Sequence, residues 1–497
     1  MLNSLKKEEC RVFTENGGVT LATTGSACLD LFSAAGGLRH EKEEEILSRF
    51  VRAFTENRSL AMKLLFYARD VRGGLGERRF FKVILKWLAK NEPETVRRNL
   101  DRISEYGRYD DLLVLMGTPL EREMLFLIRR QLSKDMEAME QGAPVSLLAK
   151  WLPSVNTSNK KAVCQAKRIA RALSMNDRAY RKQLVQLRAY IRILENDLRT
   201  GNYTFDYEQQ PSKALFKYKK AFWRNDEERY LEFLSRASSG RAVLHSDTLY
   251  PYELVDPYLS ALWHNQCFMR PISEQEKQTL NATWAALPDY GGEEDVLAVV
   301  DTSGSMYTGT LPKPASVALS LGLYFAERNK GAFRNHFIEF SKSPRLIELK
   351  GESFADRLRY AASFNEVANT DLEAVFDLIL QTAVKNGLSQ DRLPSKLIII
   401  SDMEFDRCVT RGELTHFENA KKNYAACGYR LPKIVFWNVA NRHGHTPVSK
   451  NEQGVLLVSG CTPRLFETVA LGSTEKMTPY AMMLEVLGSK RYEPIVA

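Results

Sequence analysis

Apolar residues recur at three- and four-residue intervals through much of the first half of the chain. Ile46, Leu47, Phe50, Val51 and Phe54 form one such set, the spacing that gathers side chains on one helical face. The same rhythm predicts helices over Leu60–Ala68, Phe80–Ala89, Pro93–Glu105, Leu120–Glu140, Lys160–Leu173, Arg178–Leu198, Ser212–Trp223 and Asp226–Arg236. Short turns separate them, among them Arg72-Gly73-Gly74-Leu75-Gly76 and Tyr106-Gly107-Arg108-Tyr109-Asp110. Residues from about 41 to 285 therefore read as helix after helix, with few stretches of strand alternation. Helices joined in this way suggest antiparallel pairs stacked as a solenoid, although no sequence repeat of fixed period is present.

The pattern changes after Pro288-Asp289-Tyr290-Gly291-Gly292, a Pro/Gly cluster that reads as a boundary. Beyond it, short apolar runs alternate with helical stretches. The runs are Val296–Val300, Phe333–Phe340, Lys396–Ile400, Ile434–Val439 and Val455–Val458; the helices are Ala315–Arg328, Asp371–Val384, Glu413–Tyr424 and Thr478–Leu487. This is the rhythm of a doubly wound parallel sheet, and runs that are apolar throughout suit strands buried on both faces. The expected class is mostly α plus α/β: a helical domain over 1–288 and a sheet domain over 289–497.

Composition adds little to that picture and excludes a few classes. The chain has 497 residues, 44% hydrophobic and 26% charged, values ordinary for a folded globular protein. Seven cysteines, an odd number without CxxC spacing, argue against a disulfide framework or a zinc ribbon. No apolar run is long enough for a membrane helix, and the first ten residues lack a signal peptide's apolar core. A cytoplasmic protein, not bound to membrane and monomeric, is expected.

Charge is more informative, because it is unevenly placed. The net charge is +9, yet residues 151–225 alone carry sixteen Lys and Arg against five acids. Lys160, Lys161, Lys167, Arg168 and Arg171 lie at offsets that let several share a helix face. Arg178, Arg181, Lys182, Arg188 and Arg192 extend the stripe. Lys213, Lys217, Lys219, Lys220 and Arg224 form a third cluster, interleaved with Phe216, Tyr218, Phe222 and Trp223. Such cations could neutralise phosphates, and aromatic faces could stack unpaired bases. Basic surface helices are also common without a ligand, and aromatics at helical spacing commonly belong to a core.

The chemistry-bearing pattern is Asp301-Thr302-Ser303-Gly304-Ser305, directly after the first apolar run of the second half. A carboxylate and two hydroxyls on one tight loop offer the hard oxygen ligands that Mg²⁺ prefers. Thr370 precedes a predicted helix, and Asp402 follows the strand Lys396–Ile400. In open α/β sheets, ligands bind beyond the strands' carboxyl ends, so these five residues form a candidate cation site. Each could instead be a cap or turn former. The acidic run Asp402-Met403-Glu404-Phe405-Asp406 also admits a metal-dependent hydrolase, but no nucleophile–base pair accompanies it. A non-catalytic protein is expected. His443 and His445 sit together in a polar stretch that reads more readily as a solvated loop than as a metal site.

Asp301, Ser303, Ser305, Thr370 and Asp402 together resemble the metal-ion-dependent adhesion site of a von Willebrand factor A (vWA) domain. That resemblance implies a bound Mg²⁺ or other divalent cation that takes its last ligand from an acidic group on a partner. The helical half, with Gly107-Arg108-Tyr109-Asp110-Asp111-Leu112-Leu113, distantly resembles the TROVE module of Ro autoantigens. In those proteins a HEAT-like helical solenoid precedes a vWA domain and binds noncoding RNA. The whole chain more closely resembles an uncharacterised family of the same layout, through Thr23-Thr24-Gly25-Ser26, Tyr67-Ala68-Arg69-Asp70-Val71-Arg72-Gly73-Gly74, Trp151-Leu152-Pro153-Ser154 and Ser401-Asp402-Met403-Glu404-Phe405-Asp406. The implied function is a scaffold that binds structured or single-stranded noncoding RNA and a protein partner with exposed Asp or Glu. A protein-interaction scaffold without RNA is the alternative.

Overall fold

The computed structural model describes residues 10–246, 249–263, 266–308, 312–340, 343–364, 371–406, 414–441, 443–465, 467 and 477–497. Helices Glu43–Glu56, Arg58–Arg69 and Arg78–Asn91 pack on one another. Their apolar stripes (Phe50, Leu64, Leu65, Phe81, Ile84) supply the centre of the helical half. Asparagines start several helices: Asn57, Asn159 and Asn176 each accept a backbone N–H three residues on, satisfying an otherwise orphaned donor.

Two predicted helices are broken. The stretch read as Arg178–Leu198 is two helices, Asp177–Tyr190 and Leu194–Thr200. Arg192 between them has φ +53°, a left-handed conformation that a helix interior does not contain. The break moves the chain between cores: Leu187 packs with the main cluster, Leu194 with a second around Tyr207, Phe222, Tyr230 and Phe233. The stretch from Pro93 is interrupted at Asn99, whose side chain pairs with the backbone of Val496 at 2.7 and 3.1 Å. Two short hairpins are also present, one before the stretch read as helix after helix and one within it. They are β1 (Arg11–Phe13) with β2 (Val19–Leu21), and β3 (Leu259–Trp263) with β4 (Gln266–Met269).

The second half contains a six-stranded sheet of β5 (Val296–Asp301), β6 (His336–Phe340), β7 (Arg345–Glu348), β8 (Lys396–Ser401), β9 (Lys433–Asn438) and β10 (Val455–Ser459). The order is β10-β9-β8-β5-β6-β7. All neighbours are parallel except the edge strand β7, which runs antiparallel to β6. The sheet is therefore mixed, not purely parallel. Both faces are covered: Val296, Ala298 and Val300 face one core, Leu297 and Val299 the other. Helix Pro314–Arg328 lies so close to β5 that a Cβ on Gly322 would sit 2.3 Å from a Val300 methyl.

The halves interlock. Helix Ala27–Ala34 packs against β10, and the Gly36 N–H donates to Ser459 Oγ at 2.9 Å. Helix Pro479–Leu487 packs on both helix Ala27–Ala34 and helix Arg58–Arg69. Beyond it, Arg491 and Tyr492 close on the fully buried Asp70. One hydrophobic cluster therefore runs from the helical half through one face of the sheet. Among the described residues, no helix is long and apolar enough to cross a membrane.

Candidate functional site

From β5 the chain passes to β6 on one side, then returns to β8 on the other. The switch point of this sheet thus lies between the carboxyl ends of β5 and β8, where such folds open a crevice. Val300 pairs with Ile400, which brings Asp301 level with Ser401 and sets Asp402 one residue beyond. Ser401 Oγ donates to Asp301 Oδ2 at 2.5 Å, and the Ser303 N–H donates to Asp301 Oδ1 at 2.9 Å. The hydroxyls of Ser303 and Ser305 are 3.0 Å apart. Asp402 is buried, and its Oδ1 accepts the Glu404 N–H at 3.3 Å. Met403 turns the chain with φ +69°, an uncommon conformation for a non-glycine residue.

Burial, and next the charge of Asp402, push the Asp301 carboxyl up to about 7. Two carboxylates this close in a buried position repel, and a shared proton or cation relieves them. The oxygen donors on the two loops suit a hard divalent cation. Asp301, Ser303, Ser305 and Asp402 are brought together; Thr370 lies outside the described residues. Asp371, the next residue, caps helix Leu372–Lys385 by accepting the Ala374 N–H at 3.0 Å.

A neighbouring cluster joins two stretches singled out in the sequence, around Glu404 and His443, to Glu15, which carried no sequence signal. Hairpin β1–β2 clasps the loop after β8: Thr14 Oγ1 donates to the Phe405 carbonyl at 2.5 Å, the Glu15 N–H to Glu404 Oε2 at 2.9 Å, and Asn16 Nδ2 to the Glu404 carbonyl at 2.8 Å. Gly18 permits this approach, since a Cβ there would lie 2.5 Å from the Phe405 carbonyl oxygen. His443 Nδ1 lies 3.2 Å from Glu404 Oε1 and His443 Nε2 lies 3.5 Å from Glu15 Oε1. His445 Nδ1 is 3.7 Å from Glu404 Oε1. One ligand atom each from Glu15, Glu404 and His443 lies within 4.8 Å of the others. The histidine stretch is irregular with His443 exposed, as expected of a solvated loop, and it also joins Glu15 and Glu404 from two distant segments.

On the helical half, Lys160, Lys161, Lys167, Arg168 and Arg171 are exposed on helix Lys160–Ala172, opposite buried Ala166, Ile169 and Ala170. Arg178, Arg181 and Lys182 are exposed on the next helix, Arg192 at its end, and Lys217 and Lys220 on helix Ser212–Asn225. Arg168 pairs with Glu121 at 2.5 Å and Lys167 with Asp177 at 3.6 Å. Arg188 does not join the stripe. Its guanidinium turns inward to the Ala149 and Leu152 carbonyls, both at 2.8 Å, and to Ser154 Oγ at 2.7 Å. It braces the turn at 149–154. The interleaved aromatics are not a stacking platform either. Phe216, Phe222 and Trp223 are buried, and Tyr218 is half-buried.

The other motifs are structural. Asp111 is fully buried and accepts from Arg69 Nε at 2.7 Å and from the Arg108 N–H at 3.0 Å, with Lys82 Nζ at 3.2 Å. Arg108 stacks over Trp151 at 4.0 Å. The glycine-rich turn is tied back by Arg72 to the Glu105 carbonyl at 3.0 Å and by Arg79 to the Arg39 carbonyl at 3.2 Å.

Comparison with known proteins assigns the chain to a family. The model of a domain of unknown function, DUF2828, matches residues 14–126 and 124–290, more than half of the chain. The chain belongs to the DUF2828 family. A second domain of unknown function, DUF7788, matches residues 295–482 of this DUF2828 member. An uncharacterized protein of Acanthamoeba polyphaga mimivirus is 29% identical over 524 residues, covering 97% of this chain and 88% of the viral protein. Among solved structures, the crystal structure of the Deinococcus radiodurans RO (RSR) protein is similar at 13% identity and a TM-score of 0.33, covering 91% of this chain and 93% of that one.

Proposed function

We propose that this protein is a non-catalytic scaffold that binds noncoding RNA on its helical half and an acidic protein partner, through Mg²⁺, on its sheet half. The observation that carries the sheet-half reading is the buried Asp301 carboxylate beside Asp402, with two serine hydroxyls on the same loop. Asp301, Ser303, Ser305 and Asp402 would hold the ion, as the resemblance to a vWA adhesion site implies. When bound, the ion supplies an electrophilic position for one further carboxylate. The chain's own residues orient that position: Ser401 and the Ser303 N–H fix Asp301, and β8 fixes Asp402.

The exposed cations of helices Lys160–Ala172 and Asp177–Tyr190 support the RNA reading, together with the sequence resemblance to Ro proteins. Affinity for single-stranded and structured RNA, measured against salt, tests it. Each phosphate contact contributes ~0.7–0.9 to the log–log slope. Replacing Lys167, Arg168 and Arg171 with Glu should weaken binding and lower the slope by about 2. An unchanged affinity and slope removes this face from RNA binding.

A further inference from the structure

Helix Ser212–Asn225 and the chain entering helix Glu274–Ala285 border an open cleft of about 390 Å³. Its wall includes Lys219, Lys220, Arg224 and Arg270, with Trp223 and Glu276. Four cations thus face one space with a single carboxylate, and that carboxylate is already committed. Glu276 takes Arg270 at 2.7 Å and closes a capping box with Ser273. Trp223 is equally committed, its indole N–H donating to Thr279 Oγ1 at 3.0 Å. Among the described residues, neither Lys220 nor Arg224 has a carboxylate within ion-pair distance.

Lys219 is the least ordinary of the four. Its ammonium lies 3.5 Å above the Phe216 ring and donates to the Phe216 carbonyl at 3.3 Å. Burial lowers its pKa to about 8, against the pull of Glu276 and with the push of Lys220 and Arg270. Charges of one sign held together in a partly desolvated cleft are costly without an anion. The cleft is also larger than one phosphate requires, with room for part of a nucleotide.

We infer that this cleft receives the terminal phosphomonoester of an RNA strand. The inference rests on the RNA reading above and narrows it to a chain end. A phosphodiester within a strand carries one negative charge, whereas a terminal phosphomonoester approaches two at neutral pH. Three cations not committed to Glu276 match the doubly charged group better. The exposed stripe on the 160–190 helices would follow the backbone, and the cleft would hold its end.

The test uses the full-length protein and one single-stranded oligoribonucleotide in three forms: 5′-phosphate, 3′-phosphate and hydroxyl at both ends. Fluorescence anisotropy should show one phosphorylated form binding roughly ten- to a hundredfold more tightly than the hydroxyl form, the scale of charge-assisted hydrogen bonds. Lys220→Glu with Arg224→Glu should weaken the hydroxyl form modestly, through lost backbone attraction, and the preferred phosphorylated form roughly ten- to a hundredfold more, so that the preference is erased. Both positions are exposed, so the fold is preserved; circular dichroism checks this. If the wild type binds all three forms equally, the terminal-phosphate inference is overturned while the RNA reading stands. If it binds none, the RNA reading fails, and this inference fails with it.

Discussion

Substitution of Asp301 by Asn separates a cation site from a merely structural aspartate. Asp301 is fully buried, and its carboxyl is raised from 3.8 to about 7, first by burial and second by Asp402. An acid whose folded pKa is raised loses stability as pH climbs from its unfolded value to its folded one; above both, the penalty is constant. At 1.36 kcal/mol per pH unit, the shift amounts to about 4 kcal/mol above pH 7. Asn keeps an acceptor for the Ser303 N–H and presents a donor where the carboxylate presents a charge. It still suffers part of the burial cost, so it should recover about half, about 2 kcal/mol. Denaturant unfolding in a chelator should therefore find Asp301→Asn more stable than wild type at pH 8, with the advantage shrinking toward pH 4. Added Mg²⁺ should reverse the order, stabilising wild type and leaving the variant unmoved. If the variant in chelator is less stable at pH 8 by as much as at pH 4, the carboxylate pair is not repulsive and the reasoning is refuted.

Two further outcomes test the frame around the site. Arg69→Met should destabilise the fold by about 3–5 kcal/mol, because it leaves the buried Asp111 with its closest charged partner removed; a loss under about 1 kcal/mol in thermal or denaturant unfolding would place that pair with surface ion pairs instead. Gly322→Ala should cost about 1–3 kcal/mol through overpacking against Val300, and by shifting β5 it should also weaken cation binding at Asp301; calorimetry reads both.

What the sequence made legible follows from how each element is buried. Strands β5, β8 and β10 are buried at every position, so they read as unbroken apolar runs. Edge strand β7 buries only Ile347 among Arg345, Leu346 and Glu348, and gives no comparable run. The Asp301 and Asp402 loops were visible because each follows an apolar strand directly, and the parallel pairing of β5 with β8 sets them at one end. The Glu15–Glu404 contact joins residues 389 apart, and no periodicity encodes it. Arg188 shares the helix spacing of its basic neighbours; only the carbonyls of residues 149 and 152, contributed by a different segment, turn it inward. The aromatics between the lysines of helix Ser212–Asn225 obeyed the plainer rule: Phe222 and Trp223 enter the second core with Tyr218 packed against it, and Phe216 enters the main one.

The most direct measurement is the stoichiometry of Mn²⁺ binding, read by electron paramagnetic resonance with Mg²⁺ as competitor. The account predicts a saturable site displaced by Mg²⁺ in wild type and lost in Asp301→Ala and Asp402→Ala, with the fold intact by circular dichroism. It also predicts that the site persists in His443→Ala, which dismantles only the neighbouring Glu15–Glu404–His443 cluster. An absence of saturable binding, or a site that survives Asp301→Ala and disappears in His443→Ala, contradicts the account.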